Sequence, residues 1–231
     1  MIRALSVVLF WAIGIPLAAI VGFPWTFISG RIDFLYRMSM RAAWTGVRLA
    51  GVKVNAIGLD RLDPLQTYIF VSNHASNLDP PILLPLIPRR TSVLLKKELF
   101  RIPVLGYAMR LGSLVPVDRA RRDGGVNSLR AASEVLARGL NLTIFVEGTR
   151  SPDGHLLPFK KGPFYLALES GIPIVPVTIA GTYEMMPKGR FGIRPGTATV
   201  TFHSPIDPHG FADRQHLLAA VREQIASGLT N

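Results

Sequence analysis

The chain has 231 residues, with 26 Lys and Arg against 15 Asp and Glu for a formal charge of +11; that length supports one α/β domain with a sizeable core and argues against two. It contains no cysteine, which excludes disulfides, a thiolate nucleophile and thiolate metal sites. The basic excess suits anionic lipid, an acidic carrier protein or nucleic acid, and composition alone does not choose among them.

Residues 4–29, between Arg3 and Arg31, carry no charged side chain. A bilayer crossing takes about 20 apolar residues, so the run is long enough. Gly14, Pro16, Gly22 and Pro24 interrupt it, and the expected forms are a transmembrane span or re-entrant hairpin, a monotopic anchor in one leaflet, or a soluble hydrophobic hairpin. In residues 32–50, Leu35, Met38, Ala42 and Leu49 recur on one helical face while Arg37, Arg41 and Arg48 recur on another. Beside the apolar run, those three arginines are expected to face a membrane carrying anionic lipid; without it, a helix packed on the domain with solvated arginines fits the same pattern.

Beyond Gly51 the rhythm changes to short strands separated by helical connections. Strands are expected at residues 52–57, 67–71, 91–95, in a segment ending at Val117, and at 140–146, 172–179 and 198–202. Helices are expected from Pro80 and Pro81 to before Pro88, and at 124–138, 163–169 and 211–229. The alternation implies an α/β fold, a mixed, mostly parallel sheet flanked by helices, in residues 51–231, preceded by a helical membrane-associating element in residues 1–50.

Polar residues stand at successive strand exits. His74 follows the strand at 67–71, at the end where α/β sheets commonly place ligands, and Asp79 comes five positions later near a helix start. A carboxylate there can receive one ring nitrogen and leave the other free to take a proton. Taken alone, the two residues fit a structural pair as well as a catalytic one. Arg119 follows the strand ending at Val117, and Glu147, Gly148, Thr149 and Arg150 follow the strand at 140–146. Two guanidinium groups at one cleft suit a phosphate, with Lys160 and Lys161 as further cations; the bland account pairs Arg119 with Asp118 or Glu147 and leaves the lysines in solvent. No Gly-x-Ser-x-Gly elbow, His-Glu-x-x-His zinc pattern, phosphate loop or dinucleotide loop occurs. Direct activation of a substrate hydroxyl is thus favoured over a covalent acyl-enzyme. No metal or cofactor is called for, nor is a nucleic-acid recognition module visible.

The spacing Asn73-His74-Ala75-Ser76-Asn77-Leu78-Asp79 resembles the Asn-His-x-x-x-x-Asp block of the glycerolipid acyltransferase family. Three further blocks follow in order: Lys96-Lys97-Glu98-Leu99 through Pro103, Gly106, Gly112 and Asp118-Arg119; then Phe145-Val146-Glu147-Gly148-Thr149-Arg150-Ser151; then Ile174-Val175-Pro176-Val177 with Gly181-Thr182. The resemblance implies that His74 is a general base and Asp79 its orienting carboxylate, with Arg119, Glu147, Gly148, Thr149 and Arg150 serving acceptor binding. It also implies an acyl-CoA or acyl carrier protein donor and lysophosphatidic acid as acceptor, acylated at its sn-2 hydroxyl to phosphatidic acid. Glycerol-3-phosphate, another lysophospholipid or an amino-acid lipid as acceptor, or a non-catalytic adaptor for anionic lipid, are the alternatives. The location implied is the cytoplasmic face of the inner membrane. Main-chain N–H groups near the His74 turn are the expected oxyanion donors. One departure is Val146, where the block usually has proline.

Overall fold

The computed structural model describes residues 2–118 and 124–229. Its strands are β1 (Val52–Ile57), β2 (Ile69–Ser72), β3 (Thr91–Lys96), β4 (Val115–Val117), β5 (Asn141–Phe145), β6 (Ile174–Ala180) and β7 (Gly196–Phe202). They form one sheet in the order β1-β7-β6-β2-β5-β3-β4. From β6 through β2, β5 and β3 to β4 every pairing is parallel, whereas β7 runs antiparallel to β6 and parallel to β1. This is the mixed, mostly parallel sheet the sequence implies.

Every residue of β2 and β5 is buried, as expected for central strands covered on both faces, whose sequences read as continuous apolar runs. Alternate residues feed separate cores. Phe70 packs with Val93, Val175, Ile82 and Leu83 on one side, while Ile69, Val71, Leu142 and Ile144 pack with Phe164, Leu217, Val221 and Ile225 on the other. Helices α3 (Asp79–Leu83), α5 (Gly124–Ala137), α6 (Gly162–Ser170) and α8 (Arg214–Ser227) occupy the expected connections. Helix α8 starts later than expected because the Asp213 side chain accepts from the N–H groups of Gln215 and His216 and caps it there. Two short helices, α4 (Leu105–Leu111) and α7 (Thr182–Met185), occupy stretches with no helical expectation.

Residues 2–29 form one continuous helix, α1 (Ile2–Ser29), which runs through Pro16 and Pro24 without breaking. It is long and apolar enough to cross a membrane, and Leu5, Ile20, Phe27 and Ile28 are widely exposed along it. Helix α2 (Asp33–Leu49) folds back antiparallel to α1: the Trp25 and Phe34 rings lie 5.9 Å apart at the corner, and Trp11 meets Gly46 at the far end. Glycine lets the two helices approach closely at both notches. A Cβ on Gly22 would stand 2.6 Å from Leu35, and one on Gly46 would stand 3.0 Å from the Trp11 ring.

The buried face of α2 differs from the expected stripe. Leu35 is buried, but the others are Ala43, Gly46 and Val47, and Leu49 is 44% exposed. The helix has two packing partners, α1 and the domain, so its contact surface is wider than one stripe. Val47 and Ala50 belong to the same core as Phe70 and Ile82. Arg37, Arg41 and Arg48 are all exposed. Arg119 lies outside the described residues.

Candidate active site

Strand β2 ends at Ser72, beside Phe145 of β5 in register, and the side chain of Asn73 secures the exit. Its amide donates to the Ile179 carbonyl and accepts the Ile179 N–H, at 2.9 and 2.8 Å, like one more rung of the ladder to β6. His74 is thereby delivered to the sheet's C-terminal edge.

The His74 Nδ1 lies 2.8 Å from Asp79 Oδ2. The same oxygen accepts the N–H groups of Ala75 and Ser76 at 2.7 and 2.8 Å, and the residue is fully buried. An oxygen taking three hydrogen bonds is an acceptor throughout, so Nδ1 carries a proton, and in the neutral ring Nε2 is the nitrogen that holds the lone pair. Oδ1 is buried without a partner among the described residues. The imidazole plane is set by Phe145, whose ring centroid is 4.3 Å away at a tilt of 30°.

Glu147 braces the other side of the turn. Its Oε1 accepts the His74 N–H and its Oε2 accepts the Leu157 N–H, both at 2.8 Å. Burial pushes this carboxyl above its ordinary range, and the two N–H donors work against that rise. The His74 carbonyl in turn accepts from the Ser151 N–H at 2.8 Å. The N–H groups of residues 74–76 are all committed to carboxylates, so the oxyanion donor expected from this turn is not among them.

Gly148 has φ +72°, which favours glycine at this turn, and the Lys160 stem packs over it, 3.3 Å from where a Cβ would stand. A cavity of about 690 Å³ opens here, lined by Glu147, Gly148, Thr149, Lys160, Lys161 and Phe145 among others. Phe145, whose ring lies against His74, lines it, whereas His74 itself does not. Arg150 is half-buried and does not line the cavity; its side chain has no recorded partner among the described residues. Asp118, which the bland account paired with Arg119, takes an ion pair from Lys97.

A family model described as Acyltransferase matches residues 53–180. The chain belongs to this family. A 1-acyl-sn-glycerol-3-phosphate acyltransferase of Limnanthes alba is 35% identical over 205 residues, covering 87% of this chain and 71% of that protein. The alpha form from Homo sapiens is 30% identical, over 78% of this chain and 67% of its own length. Among solved structures, the 1-acyl-sn-glycerophosphate (LPA) acyltransferase PlsC from Thermotoga maritima superposes with a TM-score of 0.82 at 31% identity, covering 98% of this chain and 95% of that one.

Within this acyltransferase, Val146 departs from the proline of the third block and uses what proline lacks. Its N–H donates to the Ser72 carbonyl at 3.0 Å, extending the β2–β5 ladder by one bond. Ser76, the one serine between His74 and Asp79, is fully buried and donates to the Met186 carbonyl, so it is structural. Lys188 was not singled out from the sequence, since it lies outside all four blocks. Its Nζ donates to the Arg150 carbonyl at 3.0 Å and approaches Thr149 Oγ1 at 3.4 Å, adding a cation at the mouth of the site.

Proposed function

We propose that this acyltransferase transfers an acyl chain from a thioester donor, acyl-CoA or acyl carrier protein, to the sn-2 hydroxyl of 1-acyl-sn-glycerol-3-phosphate, yielding phosphatidic acid. The observation that carries this reading is the 2.8 Å contact of His74 Nδ1 with Asp79, held at a strand exit in a chain whose relatives are named for that acceptor.

His74 Nε2 takes the proton of the acceptor hydroxyl as the oxygen attacks the thioester carbonyl, and Asp79 stabilises the imidazolium that forms. Collapse of the tetrahedral adduct breaks the C–S bond, and the proton leaves with the thiol. No covalent acyl-enzyme is needed. The acceptor phosphate is held by Lys160 and Lys161 of the cavity lining, with the Thr149 hydroxyl as a further donor; the family resemblance adds Arg150 and Arg119 as candidates. Glu147 acts at one remove, by fixing the His74 backbone.

The anchor beside a basic site suits an acceptor that arrives from lipid and a donor that arrives from water. Helix α1 provides the membrane contact, and the cytoplasmic face of the inner membrane is the location that fits both substrates. Mass-spectrometric identification of the product from lysophosphatidic acid, glycerol-3-phosphate and a phosphate-free lysolipid, each with both donors, tests the assignment. Phosphatidic acid as the dominant product is expected; equal acylation of the phosphate-free acceptor would overturn the phosphate assignment.

A further inference from the structure

A second basic site lies at the opposite end of the strands from His74. Between α2 and the turn before β3 is a cleft of about 590 Å³ lined by Asp33, Tyr36, Arg37, Arg41, Arg89 and Arg90, with Met40 and Leu84 among its apolar lining. Arg90 precedes β3 and Leu140, also in the lining, precedes β5, whereas His74 follows β2, and these strands are parallel. A strand length of roughly 15–20 Å therefore separates the two sites.

The cleft holds four arginines against one aspartate. Arg90 is 3.4 Å from Asp33, a partial offset. Arg89 is fixed at φ +65°, its two terminal nitrogens donating to the Leu65 and Gly139 carbonyls at 2.7 Å. Arg37 and Arg41 stand one helical turn apart, exposed and without a recorded partner among the described residues. Like charges at that spacing repel, and guanidinium pairs are suited to an anion with several acceptor oxygens.

The surroundings say which anion. The cleft flanks the α1–α2 hairpin, whose corner exposes Trp25, Phe27, Ile28 and Phe34. An apolar corner next to an arginine rim over Met40 and Leu84 matches an amphiphile, with its phosphate at the rim and its chains beside the hairpin. We propose that this cleft binds the headgroup phosphate of an anionic glycerophospholipid, at a site separate from that of the acceptor. The site stands independently of the acyl-transfer reading, because it is read by binding.

The test is partition of the full-length protein onto phosphatidylcholine vesicles carrying either phosphatidylglycerol or a fatty acid, at matched surface charge. Wild type is expected to favour the phosphate-bearing vesicles about tenfold, the worth of one bidentate contact. The pair Arg37→Gln, Arg41→Gln brings that ratio close to one. The pair Arg37→Lys, Arg41→Lys keeps overall affinity and loses the ratio. Arg48→Gln, on the same helix but outside the cleft, weakens both vesicle types alike and preserves the ratio; unchanged thermal midpoints verify that each variant is folded. A wild-type ratio of one overturns the proposal, as does loss of the ratio in Arg48→Gln. Release of wild type by inorganic phosphate at constant ionic strength, to the level of the glutamine pair, assigns the cleft to free phosphate and overturns it. So does capture of acyl carrier protein that the glutamine pair abolishes while the vesicle ratio is unchanged.

Discussion

The proton that leaves an acceptor hydroxyl needs a ring nitrogen able to take it, and Asp79 fixes Nδ1 as the donor nitrogen by accepting three N–H groups through one oxygen. Asp79→Asn removes the charge that stabilises the imidazolium and offers an amide to donors that want an acceptor. Turnover should fall roughly 10²–10⁴-fold, read as kcat in a folded variant. Glu147→Gln tests the brace. A glutamine can accept one of the two N–H groups and must oppose the other, at a cost of about 1–3 kcal/mol; thermal unfolding should drop by several degrees and kcat should fall with it. A drop in KM affinity for the acceptor alone, with kcat and stability intact, would point instead to direct contact with substrate. His203 belongs to stability. Burial, followed by the charge of Arg61, lowers its folded pKa from 6.5, so below that value the unfolded chain binds a proton that the folded one does not. Stability is then present above about pH 6.5 and is lost as pH falls below it. His203→Gln should flatten the decline in thermal midpoint between about pH 7.5 and 5.5, and an unchanged slope would remove His203 from the account.

At the scale of elements, the hairpin closes most tightly where two Cβ atoms are missing. Gly46→Leu drives a side chain into the Trp11 ring, and Gly22→Leu does the same to Leu35. Overpacking of this kind costs about 1–3 kcal/mol, so either variant should lower the urea midpoint, while Gly14→Leu, with open space around it, should not. These contacts were not legible in the sequence, where Gly22 read as a break in an apolar run. The central strands were legible because β2 and β5 are buried on both faces and continuous in apolar character. Helix α7, with four residues, is too short for any periodicity to show. The face of α2 was misjudged since the helix packs on both α1 and the domain, which buries Ala43, Gly46 and Val47 and leaves Leu49 exposed. For the site, His74, Asp79 and the Glu147–Arg150 run were legible from motif spacing, yet the acceptor role expected of Glu147 rested on the family resemblance. Its two main-chain donors, from His74 and Leu157, come together only when β2 and β5 pair. Lys188 reaches the site from a loop after α7, and only tertiary structure brings it there.

For the whole molecule, strand order is what makes a site of distant residues. Placing β2 between β5 and β6 sets the Asn-His-Asp segment beside the Glu-Gly-Thr-Arg segment on one edge, and the hairpin of residues 2–49 joins the same core through Val47. The proposed entry of the acceptor from lipid and of the donor from water needs this edge and helix α1 to be held in fixed relation. Removal of residues 1–29 should therefore reduce flotation with vesicles; undiminished flotation would show that α1 is not the membrane contact. The central claim is that one imidazole does the deprotonation. Its most direct test is the initial rate of phosphatidic acid formation by purified His74→Ala beside wild type, with thermal unfolding of both: the account predicts a loss of at least about 10²-fold at an unchanged unfolding midpoint, and near-wild-type turnover by the folded variant would contradict it.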